Sequence, residues 1–459
     1  MERNFVTVDV TINKLLDEKK YKTLRDILTT MNAYDIACLF GDIHDSKVQV
    51  LFRMLPKELA ADVFVEMDED TQEFLIKGFS DSELKEVVDE LSADDAVDII
   101  EEMPANVVKR ILRQADAETR KQINELLKYP DDSAGSIMTT EFVNLRPGMT
   151  VDQAILRIRR TGIDKETIYT CYVTHDNGKL AGVITIKDIL LADEDDIIEN
   201  LMEENVISVG TLDDQEHVAQ IIRNYDFLAV PVVDTENRLV GIVTFDDAVD
   251  VMEEETTEDI QKMAAITSSD KPYTKSGVFE TWWHRIPWLL LLMISATFTG
   301  IIISSCESLL QGELIILTSF IPMLMGTAGN AGSQSSVTVI RALSLEEIEF
   351  KDIFWVIFKE CRVSIICGAT LAIVNFGKTL LIDGWLLQNP KVTPEIALVV
   401  SLTIFVVVVV SKIVGCSLPM VAKKIGMDPA VMASPFITTI VDIVSLLVFF
   451  AIATLVLQA

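Results

Sequence analysis

PFITTIVDIVSLLVFF, residues 435 to 450, places a single carboxylate near the middle of an apolar stretch, Pro429–Val456, that is long enough to cross a bilayer. An ionised carboxylate at that depth is costly unless it faces water, a cation or a partner. Thr438 precedes Asp442 by one helical turn and Ser434 by two, so the three residues predict a polar stripe on one helix face. We interpret this stripe as ion ligands in a pore. The alternative is a buried Asp442 that is protonated or paired with Lys412.

Four further apolar stretches lie between Trp282 and this one, and each is long enough for a membrane-spanning helix of about 20 residues. The chain is therefore predicted to end in a five-helix transmembrane domain, residues 281–459. The four stretches are Ile286–Ser305, Leu314–Ile340, Phe354–Ile382 and Pro394–Val421.

The second stretch contains PMLMGTAGNAGSQSS, residues 322 to 336, in which glycines recur every third residue. Small residues at this spacing allow two helices to approach closely. The amides of Asn330 and Gln334 need partners in hydrocarbon, so we expect them to line a protein or water-filled interior. Close packing and pore lining are compatible interpretations of this segment.

Several charges lie inside the third and fourth stretches, away from the predicted pore stripe. Lys359, Glu360 and Arg362 cluster near the cytosolic end of the third stretch, where pairing with one another or reaching to the headgroups is cheap. Lys412 in the fourth stretch is interpreted in the same way. We expect a structural role for these four residues.

Basic residues in the short loops predict the orientation. Arg341 and Lys351 flank the second-to-third loop, and Lys423 and Lys424 lie in the fourth-to-fifth loop. The first-to-second loop has no basic residue, and the third-to-fourth loop has only Lys391. The positive-inside rule then puts the N-terminal half in the cytosol and the C-terminus outside. The N-terminal MERNFVTVDV lacks a signal-peptide pattern, so we expect the acidic half to stay in the cytosol. The expected localisation is the plasma membrane, with several passes.

The formal net charge of −31 lies almost entirely before Thr281. A surface this acidic excludes nucleic acid as a partner, because phosphate binding requires Lys and Arg. Residues 1–132 contain short amphipathic segments such as DTQEFLIKGF and SADDAVDIIEEM, each preceded or opened by a helix-start residue. Such segments predict an acidic, α-helical, solenoid-like domain.

Residues 133–253 contain an internal repeat. TIYTCYVTHDNG and KLAGVITIKDIL in the first copy correspond to FLAVPVVDTENR and RLVGIVTFDDAVD in the second. Each copy reads as strand, turn, strand and helix, with Gly178 and Asn237 at the turns. This α/β pattern closely resembles a tandem pair of CBS domains. The resemblance implies dimerisation, regulation of an attached domain, and binding of ATP or another adenine nucleotide at Thr185 and Asp188. The alternative role of Asp188 is to cap the following helix.

VMEEETTEDIQKMAAI, residues 251 to 266, leads from the second repeat toward the membrane. It forms the core of a connecting, or plug, helix and linker that we place at residues 254–280. Glu255, Glu258 and Asp259 share a face of this helix and repel one another unless a hard cation such as Mg²⁺ or Ca²⁺ screens them.

The order of these parts resembles the MgtE family of magnesium transporters and channels. The specific segments are TTEDIQKM, PMLMGTAGNAGSQ and MDPAVMASPFITTIVD, and the match runs from about residue 20 to the end. The resemblance implies a homodimer with a pore on its two-fold axis, no enzymatic activity, and Asp442 as the pore carboxylate. It also implies cytosolic Mg²⁺ sensing through acidic residues: Asp95, Asp214, Glu216, Asp226, Asp247, Asp250, Glu255, Glu258 and Asp259.

In the expected mechanism, Mg²⁺ bridges these carboxylates and compacts the sensor, which holds the pore closed. At low Mg²⁺ their repulsion loosens it. Three rivals stay open at this point. They are a CBS-regulated transporter of another divalent cation or solute, an integral membrane enzyme with a carboxylate site, and a Mg²⁺ sensor that conducts nothing. The spans contain no His and no nucleophile motif to support the enzyme.

Overall fold

The computed structural model describes residues 11–43, 45–269, 273, 276–306, 312–388, 391–432 and 434–457. The chain divides into two compact units, Met1–Met252 and Glu253–Ala459.

The first unit begins with short amphipathic helices, which confirms the predicted helical domain. Their starts use side-chain caps. Ser80 accepts a hydrogen bond from the Glu83 amide, the Glu83 carboxylate accepts one from the Ser80 amide, and Asp68 caps its helix through Thr71. Apolar residues from successive helices form one core. The helices are α1 (Tyr21–Leu28), α2 (Ala33–Asp42), α3 (Asp45–Phe52), α4 (Lys57–Val65), α5 (Glu69–Gly78), α6 (Asp81–Val88), α7 (Ala93–Glu102), α8 (Ala105–Gln114) and α9 (Ala117–Leu126).

The repeat forms two three-stranded sheets of identical topology, so the predicted CBS pair is confirmed. In each sheet the first strand runs parallel to the second, and the second pairs with the third as an antiparallel hairpin. The first sheet contains β1 (Phe142–Leu145), β2 (Thr167–Thr174) and β3 (Leu180–Thr185), with α10 (Val151–Thr161), α11 (Ile186–Leu191) and α12 (Ile198–Leu201). The second contains β4 (Val209–Gly210), β5 (Ala229–Val233) and β6 (Leu239–Thr244), with α13 (Gln215–Tyr225).

The hairpin turns lie where the sequence places them. Gly178 has φ of 82° and Asn237 has φ of 62°, the left-handed conformation that Gly and Asn adopt most readily. The second repeat shares its core with the helical domain, since Val218, Val230 and Val243 belong to the same buried cluster as the helices α1–α9. The first repeat has a core of its own. The helical domain and the second repeat are therefore packed as one body.

The long helix α14, Phe245–Met263, begins in the second repeat and continues past the boundary between the two units. The acidic connecting segment is thus the continuation of the last CBS helix. Glu255 lies in the middle of this helix, and buried Ala248 and Val251 anchor its first two turns.

The second unit contains five helical spans, which confirms the predicted number. They are Val278–Ser305, Leu314–Ser344, Phe350–Leu386, Pro394–Lys424 and Pro429–Leu457. Their main helices are α15 (Val278–Ser305), α16 (Ile321–Ser344), α17 (Ile353–Lys378), α18 (Pro394–Lys424) and α19 (Ser434–Leu457).

Helix α18 is central in this unit, because it packs against α16, α17 and α19 and has buried residues along its whole length. Helix α15 differs. It packs against α19, and none of its described residues is buried. A single copy therefore leaves most of this span exposed, with partial cover from α19.

Candidate ion pathway and acidic sensor surfaces

The carboxylate of Asp442 lies within α19, and its Oδ1 atom is buried without a hydrogen-bond partner. The alternative pairing with Lys412 is wrong. The ammonium of Lys412 lies 3.8 Å from Glu360 and 3.4 Å from the Ser335 hydroxyl instead. The Oδ1 atom of Asp442 is therefore able to accept a hydrogen bond or bind a cation. Leaving a buried carboxylate oxygen unpaired costs free energy.

The other two residues of the predicted stripe are Thr438 and Ser434. Thr438 is half-buried on α19 and faces α16, because a Cβ placed on Gly329 would lie 3.0 Å from its methyl carbon. Ser434 begins α19, but its side chain lies outside the described residues. The structure brings Thr438 and Asp442 to successive turns of one helix.

Glycines set the distance between the helices around this carboxylate. A Cβ on Gly415 of α18 would lie 2.3 Å from the Gly332 carbonyl oxygen of α16, so only glycine permits this backbone contact. A Cβ on Gly332 would in turn lie 2.9 Å from Ile437 and 3.5 Å from Val441 of α19. Helices α16, α18 and α19 therefore cross tightly beside Asp442, as the small-residue interpretation predicts.

The amides of the second span lie on the outer surface of a single copy. Asn330 and Gln334 are exposed and one helical turn apart on α16, with Gly326 exposed one turn earlier. Buried residues of α16 occupy the other faces. Amides cannot remain against lipid without partners, so this stripe must face either water or another protein surface.

Acidic side chains of α7 and of both repeats come together inside the first unit. We call Asp94, Asp95, Asp98, Glu166, Asp246 and Asp247 the acidic cluster, because the negative charges of these residues act on one another.

The negative charges of the acidic cluster are held at a cost in free energy. Burial, opposed by hydrogen bonds from Thr244 and assisted by the charges of Asp94 and Asp246, raises the pKa of Asp247 to about 7. Burial likewise raises the pKa of Asp94, whose Oδ1 is buried without a partner. A bound cation would relieve both the desolvation and the repulsion.

The other residues of the first unit that the resemblance predicts as cation ligands are dispersed. Asp214 caps the start of α13 by accepting a hydrogen bond from the amide of Glu216 at 2.9 Å, and Asp226 ends the same helix in the left-handed conformation. Asp250 lies near Glu66, whose pKa is raised by burial and then by the charge of Asp250. Of the residues predicted in this unit, the structure brings only Asp95 and Asp247 into the acidic cluster.

The end of α14 contacts the end of α16 and the loop between α18 and α19. The Lys262 ammonium lies 2.7 Å from carboxylate oxygens of both Glu258 and Asp428, and the Ser344 hydroxyl donates to Asp259 at 3.3 Å. Burial raises the pKa of Asp259, and the charge of Asp428 adds to this. Glu255 lies half-buried one turn before Asp259. This contact therefore contains a positive charge, Lys262, among carboxylates, whereas the acidic cluster contains carboxylates alone.

Thr185 and Asp188 are exposed where β3 passes into α11. The Thr185 hydroxyl donates to the Asp188 carboxylate at 2.5 Å and accepts from the Asp188 amide at 3.2 Å, which caps α11. The capping role is therefore present, although Thr185 rather than Asp188 supplies the cap. The carboxylate stays open to solvent and could accept hydrogen bonds from the hydroxyls of a ribose.

Several residues of these surfaces escaped the sequence analysis. Asp94 and Asp98 lie beside Asp95 in SADDAVDII, where i, i+3 and i+4 spacing signals a shared helix face. Asp428 lies in the recognised segment MDPAVMASPFITTIVD, but nothing local indicates its contact with Lys262. Within the described residues, no three His, Cys, Asp or Glu side chains form a ready-made metal site.

Three family models match the chain: the MgtE divalent cation transporter family over residues 321–452, the MgtE intracellular N domain over 31–132, and the CBS domain over 134–195 and 198–254. The magnesium transporter MgtE of Thermus thermophilus is 35% identical over 98% of this chain and 98% of its own length. That of Bacillus subtilis is 32% identical over 96% and 95%.

Two solved structures resemble part of the chain. The cytosolic domain of the Mg²⁺ channel MgtE, crystallised in complex with ATP, is 36% identical with a TM-score of 0.51, and covers 53% of this chain and 99% of its own. The soluble part of a magnesium transporter is 33% identical with a TM-score of 0.52, and covers 55% of this chain and 99% of its own.

Proposed function

This chain belongs to the MgtE family of magnesium transporters, and on that basis we propose that it conducts Mg²⁺ across the plasma membrane as a homodimer that cytosolic Mg²⁺ closes. The observation that carries the proposal is the Asp442 carboxylate, which lies within a membrane helix with one oxygen buried and unpartnered. A permeating cation is the group that would offset its desolvation.

In this proposal the pore carboxylate acts through the water shell of the ion. Mg²⁺ loses water reluctantly and usually keeps several water ligands. Asp442 would accept hydrogen bonds from those waters, and Thr438 one turn away, with Ser434 beyond it, would continue the polar surface. Asn330 and Gln334 would line the path on the second span.

Two surfaces that one copy leaves exposed inside the membrane support homodimerisation. The amide stripe of α16 requires water or a further protein surface, and the largely exposed α15 offers an apolar face that a second copy would cover. Outside the membrane, Leu156 of α10 and Leu190 and Leu191 of the adjoining α11 are exposed apolar residues that a second CBS pair would cover. A two-fold axis beside Asn330 would bring two Asp442 carboxylates to one pathway.

If Asn330 lines a two-fold pore, Asn330→Cys should be cross-linked to its counterpart by a short bifunctional maleimide in membranes. We expect a dimer band on a denaturing gel, because equivalent residues on a two-fold axis approach each other. Phe354→Cys is the matched control, since Phe354 is 83% exposed on α17 but belongs to an apolar surface suited to lipid. Equal cross-linking of both variants, or of neither, would count against this pore arrangement.

For gating, we assign the sensor to the acidic residues. Asp95 and Asp247 would bind Mg²⁺ within the acidic cluster, and Glu255, Glu258 and Asp259 would do so along the connecting helix. Asp214, Glu216, Asp226 and Asp250 belong to the same proposed set. The carboxylates must move closer together, or bind through water, to hold the ion, and that movement couples binding to compaction.

We assign the domains according to these two roles, sensor and pore. Residues 1–132 and 133–253 form the sensor, 254–280 the connecting helix and linker, and 281–459 the pore. In this assignment the sensor faces the cytosol and the C-terminus lies outside, because Arg341, Lys351, Lys423 and Lys424 lie at the ends of spans on one side.

Adenine nucleotide is proposed as a second ligand of the sensor. The exposed Asp188 carboxylate suits ribose hydroxyls, and Thr185 lies at the start of a helix where phosphates are favoured. Equilibrium dialysis with labelled ATP tests this role. Binding that is undiminished in Asp188→Ala would assign the nucleotide elsewhere.

Flux through the purified protein in liposomes tests the function as a whole. With Mg²⁺ varied independently on each side, we expect influx that falls at least about tenfold as Mg²⁺ rises on the sensor side. Influx without that response would support the pore and contradict the sensor. Absence of flux under every condition would leave only a non-conducting sensor, and faster flux of another divalent cation would change the substrate.

A further inference from the structure

A buried charged cluster joins three membrane helices on the side of α18 that faces α16 and α17. The Glu360 carboxylate of α17 accepts a hydrogen bond from the Ser335 hydroxyl of α16 at 2.6 Å. The Lys412 ammonium of α18 lies 3.4 Å from the same hydroxyl and 3.8 Å from the carboxylate. The side chains of Lys412 and Glu360 are only 8% and 12% exposed.

The pairing differs from what local spacing predicts. Lys359 and Arg362 do not pair with Glu360; they lie over the rings of Trp355 and Phe358. Glu360 is left to face inward. By helical rise it lies about 10 Å from the start of α17, and Lys412 about 18 Å from the end of α18, so neither reaches water easily.

A buried pair of this kind constrains geometry more than it contributes stability. Removing one partner leaves an uncompensated charge in a low-dielectric interior, whereas removing both charges is often nearly neutral. The three helices must therefore keep the rotation and height at which Lys412, Glu360 and Ser335 meet. Any other register exposes a charge to hydrocarbon.

This cluster adjoins the glycine crossing beside the pore carboxylate. Ser335 follows Gly332 by about one turn on α16. The carbonyl of Ser411, the residue before Lys412, would lie 3.3 Å from a Cβ on Gly332. Gly332 packs on Val441, the residue before Asp442. A series of contacts thus links the charged cluster to Asp442 through the backbones of α18 at Ser411 and α16 at Gly332.

We propose that Lys412, Glu360 and Ser335 are positioning residues that fix α16 and α18 at the crossing on which α19 holds Asp442. This role rests on the proposed transport function. The three residues do not touch the ion. They determine where the carboxylate lies relative to α16.

The test compares single and double substitutions by Mg²⁺ influx into liposomes, normalised to folded protein. Glu360→Gln leaves Lys412 charged and alone, and we expect at least about a threefold change in the half-saturating Mg²⁺ concentration with a lower maximal rate. Combining Glu360→Gln with Lys412→Met removes both charges and should restore the half-saturating concentration to within about twofold of the unsubstituted protein. Ser335→Ala keeps both charges and should change the half-saturating Mg²⁺ concentration in the same direction as Glu360→Gln, but by less. If Glu360→Gln does not fold, Ser335→Ala still tests the proposal.

Ser401→Ala is the matched control. Asn375 donates to Ser401 at 3.0 Å and so links α17 and α18 by another buried polar contact, about 15 Å along the helix from Ser411. We expect this variant to keep the normal half-saturating concentration.

A loss of rate that follows only the amount of folded protein, at an unchanged half-saturating concentration, would reduce the cluster to a folding contact and overturn the proposal. A double variant no better than Glu360→Gln would also overturn it. An unsubstituted protein that carries no Mg²⁺ would instead refute the transport function on which the proposal depends.

Discussion

Replacing Asp442 with Asn is expected to reduce Mg²⁺ influx by about a hundredfold or more, because the amide keeps the shape of the side chain but removes its charge. A divalent ion entering a low-dielectric pathway needs a fixed negative charge to offset its lost hydration. The measurement is Mg²⁺ influx into liposomes at low Mg²⁺ on the sensor side, where the pore is expected to be open.

Asp383→Asn is the matched control for this prediction. Asp383 also lies in a span, but its carboxylate is 2.7 Å from the Lys378 ammonium and is thus already neutralised. We expect this variant to conduct at a rate close to that of the unsubstituted protein. Asp442→Asn with normal flux would show that the buried oxygen of Asp442 serves packing and not permeation.

Two residues of the acidic cluster are neutralised together in the variant Asp95→Asn with Asp247→Asn. We expect the difference in flux between low and high sensor-side Mg²⁺ to become smaller, because flux falls at low Mg²⁺ and rises at high Mg²⁺. Losing repulsion favours the compact state when Mg²⁺ is low, which reduces flux. Losing ligands weakens binding when Mg²⁺ is high, which leaves more flux. We expect a response of at least about tenfold to fall below about twofold.

The control changes the same number of charges elsewhere in the same unit. Asp70 on α5 and the fully exposed Asp176 lie outside the acidic cluster, so Asp70→Asn with Asp176→Asn should leave the response intact. If both double variants altered the response equally, net charge would be the cause. A full response in Asp95→Asn with Asp247→Asn would remove the acidic cluster from the proposed sensor.

The parts of the fold that the sequence predicts are those governed by local rules. Hydropathy indicates the five spans because lipid requires each helix to be apolar along its length. The turn residues Gly178 and Asn237 were identifiable because their conformation depends on the residue type itself. The first span nevertheless begins eight residues before the predicted Ile286, at Val278, because Glu280, His284 and Arg285 remove the hydropathy signal from its first turns.

Contacts between distant segments could not be predicted in this way. Glu360 and Lys412 are 52 positions apart, and Lys262 and Asp428 are 166 apart. Whether such residues meet depends on helix rotation, which hydropathy does not define. Of the acidic cluster, the sequence indicates only Asp95 and Asp247, because the cluster depends on how α7, the first repeat and the second repeat pack together.

Helix α15 has a consequence for how the protein is made. The helix that it packs against most extensively is α19, which begins at Ser434 and follows the other four spans in the chain. About 150 residues separate the end of α15 from the end of α19, so at about 5–20 residues per second the ribosome needs roughly 8–30 s to synthesise them. During that interval the first span lacks its main helix partner. Of the five spans, the first to be synthesised is therefore the one that waits longest for its main contact within the chain.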